Sequence, residues 1–232
     1  LGKRDFHMAN QFFSLSIGGG LGAMCIFLAV MQVILHPLSI SLAGGDVQLA
    51  ALTESYLRPL LFTGPAMMFS SGMAIFIRMD GNPKASAAIV MIANAVNLVL
   101  DYVLIRFLDT GIAGAGLSTT LGYVAGSAIV IPYLANKKRS FHFVRPGKTI
   151  LKTLRDILKS GMSKAVSQVC NLVRSLVINA VIVTSLGSIG MSIMTVCTNV
   201  LMIANIFEGG VADTLLPIVG TLYGEKDFFG IR

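Results

Sequence analysis

The stretch ASAAIVMIANAVNLVLDYVLI, residues 85–105, holds one carboxylate, two amides and no basic residue in 21 positions. As an α-helix it is about 31 Å long, which matches a bilayer hydrocarbon core of about 30 Å. An amphipathic surface helix would show a polar face of comparable width, and this segment has none. Five further runs read the same way, at residues 11–35, 56–77, 111–134, 161–186 and 193–222. Over the whole chain, 54% of the 232 residues are hydrophobic and 12% are charged, where a soluble domain carries about 25% charged residues. The sequence therefore predicts an all-α, polytopic transmembrane helical bundle of six spans, with the lipid bilayer as its principal partner.

The formal charge of +7 could suggest a nucleic-acid partner, but the basic residues cluster in alternate loops. Lys3 and Arg4 precede the first run, and Arg78 and Lys84 bracket the turn after the second. Lys137, Lys138, Arg139, Arg145, Lys148, Lys152, Arg155 and Lys159 fill the connector after the fourth. Of the intervening loops, residues 36–55, 106–110 and 187–190, the only basic residue counted is Arg106. The positive-inside rule then places both ends and the connector on the cytoplasmic side of the plasma (inner) membrane, with no nucleic acid involved. Tyr56, Tyr102, Tyr133 and Tyr223 fall near run ends, as interfacial aromatics do.

Within the connector Ile150, Leu151, Leu154, Ile157 and Leu158 recur at helical spacing opposite Lys148, Lys152, Arg155 and Lys159. That pattern predicts a basic helix lying on the inner leaflet. The expected organisation is four spans over residues 1–136, a basic connector over 137–160, and two spans over 161–232. LGKRDF at 1–6 and YGEKDF at 223–228 share Gly, a basic residue, Asp and Phe in register 222 residues apart, a spacing that suits two homologous halves.

Cys25, Cys170 and Cys197 lie inside apolar runs without a CxxC pair, and His7, His36 and His142 flank the runs. These positions read as packed thiols and interfacial imidazoles, so the expectation is no metal and no cofactor. There is no paired nucleophile and base and no phosphate loop, which argues against an enzyme.

Ionisable and amide groups inside a span cost enough that they face protein or water. Asn94, Asn97 and Asp101 follow one another at steps of four or three, within about 60° on one helix face. They form either a polar wall for a cation path or an interhelical hydrogen-bond network. Gln168, Asn171, Ser175 and Asn179 share a stripe about 80° wide with Arg174 beside them, which either lines a cavity or packs against the next span. Arg174 lies 13 residues beyond Gly161 and Glu208 lies 14 before Leu222, so equal depths predict an ion pair, with Asp213 as the rival acid. Gly114, Ser118, Gly122 and Gly126 recur every four residues, a pattern for close helix packing. Gly18 to Gly20, Gly64-Pro65, Gly209-Gly210 and Pro217 mark places where spans can break or bend.

Several segments together resemble the multidrug and toxic compound extrusion (MATE) family. LGKRDFHMAN at 1–10 resembles that family's loop between helices two and three. Gly64-Pro65 through IRMDGNPK at 77–84 resembles the end of helix four and its cytoplasmic turn. NLVLDY at 97–102, followed by GIAGAGLST at 111–119, resembles helix five running into helix six. Gly161 opens a segment similar to helix seven, and Gly209-Gly210 through PIVGTLYG at 217–224 is similar to helix eight. The resemblance implies helices three to eight of a twelve-helix, two-lobe transporter, whose missing helices would be partners in the same protein. It further implies efflux of small amphipathic or cationic organic compounds by H⁺ or Na⁺ antiport. Some members carry an acid in helix seven where this chain has Asn171, so the coupling ion stays open. Two other functions remain open beside antiport: a lipid-linked oligosaccharide flippase of related architecture, and a channel or non-transporting membrane subunit.

Overall fold

Among the described residues of the computed structural model, seven helices carry the six apolar runs: α1 Phe6–Leu42, α2 Val47–Leu61, α3 Thr63–Met79, α4 Pro83–Arg106, α5 Gly111–Ala128, α6 Val130–Ala135 and α7 Ile150–Glu225. The structure describes residues 6–136, 139–145 and 150–225, without the side chains of Phe6, Lys152, Ser188, Asp213, Leu216 and Pro217. Lys3, Arg4, Lys137, Lys138, Lys148 and most of the paired hexapeptides lie outside the described residues. Six stretches are long and apolar enough to cross a membrane: His7–Leu42, Val47–Met79, Pro83–Arg106, Gly111–Ala135, Thr153–Gly187 and Ile189–Ala212. The all-α, six-span reading is borne out.

The helix boundaries follow from local chemistry. Asp46 caps α2 by accepting from the backbone N–H of Gln48 at 2.8 Å and Leu49 at 3.1 Å. Asn82 accepts from the Ala85 N–H at 3.1 Å, and Pro83 takes the first position of α4, where no donor is needed. The second run is two helices, because the chain breaks at Phe62 between Pro59 and Pro65. The Pro59 carbonyl there accepts from the Phe62 N–H at 3.2 Å and also from a neighbour: Thr120 of α5 donates its hydroxyl to it at 2.9 Å and shares a 2.7 Å bond with Thr63. Pro132, which cannot donate to Ala128, likewise separates α6 from α5.

Two compact units emerge: of the described residues, those from 6 to 145 fall in one and those from 150 to 225 in the other. The core of the first is Phe13 and Ile17 of α1, Met73, Ala74 and Ile77 of α3, Ile89 of α4, Val130 of α6, and Phe141. Phe141 belongs to the stretch read as the connector, so that part of residues 137–160 packs into the core of the first unit. Asp80 accepts from the Ser140 N–H at 3.2 Å and the Tyr133 hydroxyl at 2.8 Å. Asn10 and Ser14 of α1 accept from the His142 and Val144 amides at 2.9 and 2.8 Å. Residues 139–145 are thus strapped to the first unit, with Phe141 wedged among Phe13 and Phe76.

The second unit is α7, a helical hairpin. Its one non-helical residue is Gly187, at φ 60° and ψ −148°, a conformation open essentially to glycine. The helix expected to lie on the inner leaflet is instead continuous with the fifth span, since no other non-helical residue interrupts α7 between Ile150 and Gly187. The hydrophobic positions 150–158 keep the helical period of the apolar run that follows, so the helix propagates through them.

Candidate functional site

In the first unit the glycine stripe of α5 sets the geometry of the polar residues on α4. A Cβ at Gly122 would sit 2.5 Å from the Ala93 carbonyl oxygen, and one at Gly126 would sit 2.7 Å from that of Ile89. The two backbones touch, as the four-residue repeat predicts. That approach brings Ser118 within reach of both Asn97 and Asp101. The Ser118 hydroxyl donates to the Asp101 carboxylate, and the Asn97 amide donates to Ser118 and Thr119 at 3.3 Å each. Asn94 does not join them. Its amide bonds back to the Val90 carbonyl at 2.9 Å and its side chain is exposed. Of the three residues, two build an interhelical network and one faces outward.

In the second unit a cleft of about 700 Å³ lies between the two limbs of α7. Arg174, Ser175 and Asn179 line it from the outgoing limb, and Thr195, Thr198, Asn199 and Asn205 line it from the returning one. Met191, Met194 and Met202 supply much of its apolar wall. Gln168 and Asn171 do not line it, so only the half of the predicted stripe nearest the turn is brought together. Thr195 and Thr198 spend their hydroxyls on the Met191 and Met194 carbonyls of their own limb at 2.9 and 2.8 Å. The amides of Asn179, Asn199 and Asn205 and the guanidinium of Arg174 bond to no described residue, and so are free for a guest.

The expected Arg174–Glu208 pair is not formed. Among the described residues the ion pairs are His36–Glu54 at 3.0 Å and Arg58–Glu54 at 2.6 Å. Depth had been counted from the inner ends of the two runs, whereas the fixed point is the Gly187 turn. Counted from there, Arg174 is level with Val200, and Glu208 lies about 12 Å further toward the inner end at 1.5 Å per residue. Nothing is described of the Asp213 side chain.

Glu54 stands two residues before the apolar run that starts at Tyr56, so hydropathy alone leaves the Glu54 cluster outside the span, whereas α2 begins at Val47 and contains it. A Glu followed four residues later by Arg is a helix-face signal, and it would have extended the helix back toward Val47. His36 is likewise not beyond its span but within α1, which runs to Leu42.

Comparison with known proteins places these features. Residues 1–103 match the family model described as MatE. The multidrug export protein MepA of Staphylococcus saprophyticus is 27% identical over 217 residues, which is 90% of this chain and 47% of that protein. MepA of Staphylococcus aureus strain NCTC 8325 is 25% identical over the same extent. The chain spans about half the length of the curated relatives it matches. A multidrug resistance MATE family transporter of the MOP superfamily, solved in an outward-facing conformation, shares the fold with a TM-score of 0.86 at 23% identity. That match covers 99% of this chain and 51% of the solved one. The Vibrio cholerae MATE transporter VcmN, in its bent form, gives 0.84 at 22% identity over 100% of this chain and 52% of its own.

Proposed function

We propose that the chain is part of a secondary active exporter of amphipathic and cationic organic compounds of the multidrug and toxic compound extrusion type, which residues 1–103 and the multidrug export relatives resemble. The exporter is driven by inward H⁺ or Na⁺ and works by alternating access between two lobes. In this reading the first unit belongs to one lobe, the α7 hairpin opens the other, and further helices of the same protein complete both. The observation that carries it is the 27% identity to a multidrug export protein over 90% of the chain. The polar lining of the α7 cleft supports it, because a guanidinium inside a span faces protein or water, and among the described residues Arg174 has no bonding partner.

The reading places the chain in the plasma membrane with the basic connector inside. Arg145→Cys in a cysteine-free background is expected to react with a membrane-impermeant maleimide only from the cytoplasmic side, and Gln48→Cys only from outside. The reverse pattern overturns the orientation. Function is tested by expressing the full-length reading frame in cells lacking their own efflux pumps and following loss of preloaded ethidium. Export abolished by a protonophore or by a sodium ionophore supports the antiporter and identifies its ion. Export that persists with both gradients collapsed, or no export of any amphipathic dye, refutes it.

A further inference from the structure

We propose that the cleft inside the α7 hairpin binds amphipathic compounds carrying a carboxylate, with Arg174 as the residue that holds the acid group. This deepens the exporter reading above by naming a substrate class for one surface. It rests on that reading only for transport, not for binding.

The charge of the cleft is one-sided. Among the described residues Arg174 is the one ionisable side chain lining it, and no described carboxylate does. Glu208, the described acid nearest in sequence on the returning limb, lies about 12 Å along the axis from the Arg174 level. A guanidinium left without an ion pair in a span is costly unless something supplies the anion. A guest carboxylate can take two parallel N–H bonds from its planar fork.

The rest of the lining suits the rest of such a molecule. Asn179, Asn199 and Asn205 offer amide donors and acceptors on both limbs. Met191, Met194 and Met202 offer flexible, polarisable surface that adapts to differently shaped apolar bodies. A volume of about 700 Å³ falls inside the range of drug-sized sites.

The test is binding of two dyes of nearly equal size to the purified full-length protein in phosphatidylcholine nanodiscs, read by fluorescence anisotropy. Rhodamine B carries a free carboxylate, and its ethyl ester does not. Arg174→Gln is expected to weaken rhodamine B about tenfold, while changing the ester less than about twofold. Arg174→Lys keeps the charge but loses the planar fork, and is expected to bind rhodamine B more weakly than the unmodified protein and more tightly than Arg174→Gln. Asn199→Ala, which leaves Arg174 in place, is expected to weaken both dyes equally, and it keeps the site testable should Arg174→Gln misfold. Equal loss of both dyes in Arg174→Gln, loss of neither, or no binding of rhodamine B to the unmodified protein overturns the proposal. So does displacement of rhodamine B by phosphatidylglycerol in the nanodisc, which would assign the cleft to a lipid headgroup. Failure of the exporter reading is separate: the dye binds as expected, yet everted vesicles move neither dye.

Discussion

Replacing Gly122 by Ala tests whether the α4–α5 contact positions the Asp101 network. The added Cβ would stand 2.5 Å from the Ala93 carbonyl oxygen and 3.0 Å from the Asn97 Cβ. Ordinary contact begins at 3.4 Å, so α4 and α5 must separate by about 0.9 Å. The obstacle is backbone, which cannot rotate away as a side chain could. Overpacking of this kind costs about 1–3 kcal/mol, against a gain of about 1 kcal/mol from the better helix propensity of Ala. Because the obstacle is rigid the upper part of that range applies, and net destabilisation of about 1–2 kcal/mol is expected. The same separation would stretch the Asn97 bonds to Ser118 and Thr119 from 3.3 Å to about 4.2 Å, beyond hydrogen-bonding distance. Gly122→Ala and Asn97→Ala therefore remove the same bonds, and their costs should fall short of additivity by at least about 0.5 kcal/mol. Denaturant unfolding of the purified full-length protein and its single and double variants measures this. Unchanged or raised stability in Gly122→Ala, or strict additivity with Asn97→Ala, would refute the reasoning.

Asp101→Asn keeps an acceptor for the Ser118 hydroxyl, so export and its pH dependence should stay within about twofold, while Asp101→Ala should lower stability by about 1 kcal/mol; abolished export in Asp101→Asn would make the acid part of the ion path. Arg174→Gln and Glu208→Gln should add in their effects on stability within about 0.5 kcal/mol, since the two groups do not meet; a strongly compensating double variant would restore the ion pair. Asp80→Ala removes the acceptor of the Ser140 amide and the Tyr133 hydroxyl, and hydrogen exchange at residues 139–145 should rise at least about tenfold; unchanged protection there would show that Phe141 and the Asn10 and Ser14 bonds hold the strap without Asp80.

The spans were legible because a bilayer imposes a minimum apolar length, and residues 85–105 meet it with nothing else to explain them. The α4–α5 packing was legible for a similar reason: four small residues at one spacing point to one face, whatever they meet. Interruptions were harder. Gly64 and Pro65 could be seen, but the break at Phe62 comes with Thr120 reaching across from α5 to donate to the Pro59 carbonyl, a long-range contact that no local pattern carries. The connector misled in a different way. Its charged and apolar residues fit an interfacial helix, yet the same period continues into the fifth run, and periodicity gives no sign of whether one helix ends before the next begins. The candidate site was half legible. The stripe from Gln168 to Asn179 identified the face, while the position of the turn decided which part of it meets the returning limb. The same turn separated Arg174 from Glu208, because a count from the wrong end of each run carried an error of eight residues into the pairing.

The most direct test of the account is transport by the purified full-length protein in sealed proteoliposomes, with an imposed H⁺ or Na⁺ gradient as the sole energy source. The account predicts that ethidium or rhodamine accumulates against its own gradient when one of the two ions flows the other way, and that accumulation stops when that ion gradient is dissipated. Dye movement that merely equilibrates, with the same rate with and without either gradient, would contradict it and leave a channel in place of an antiporter.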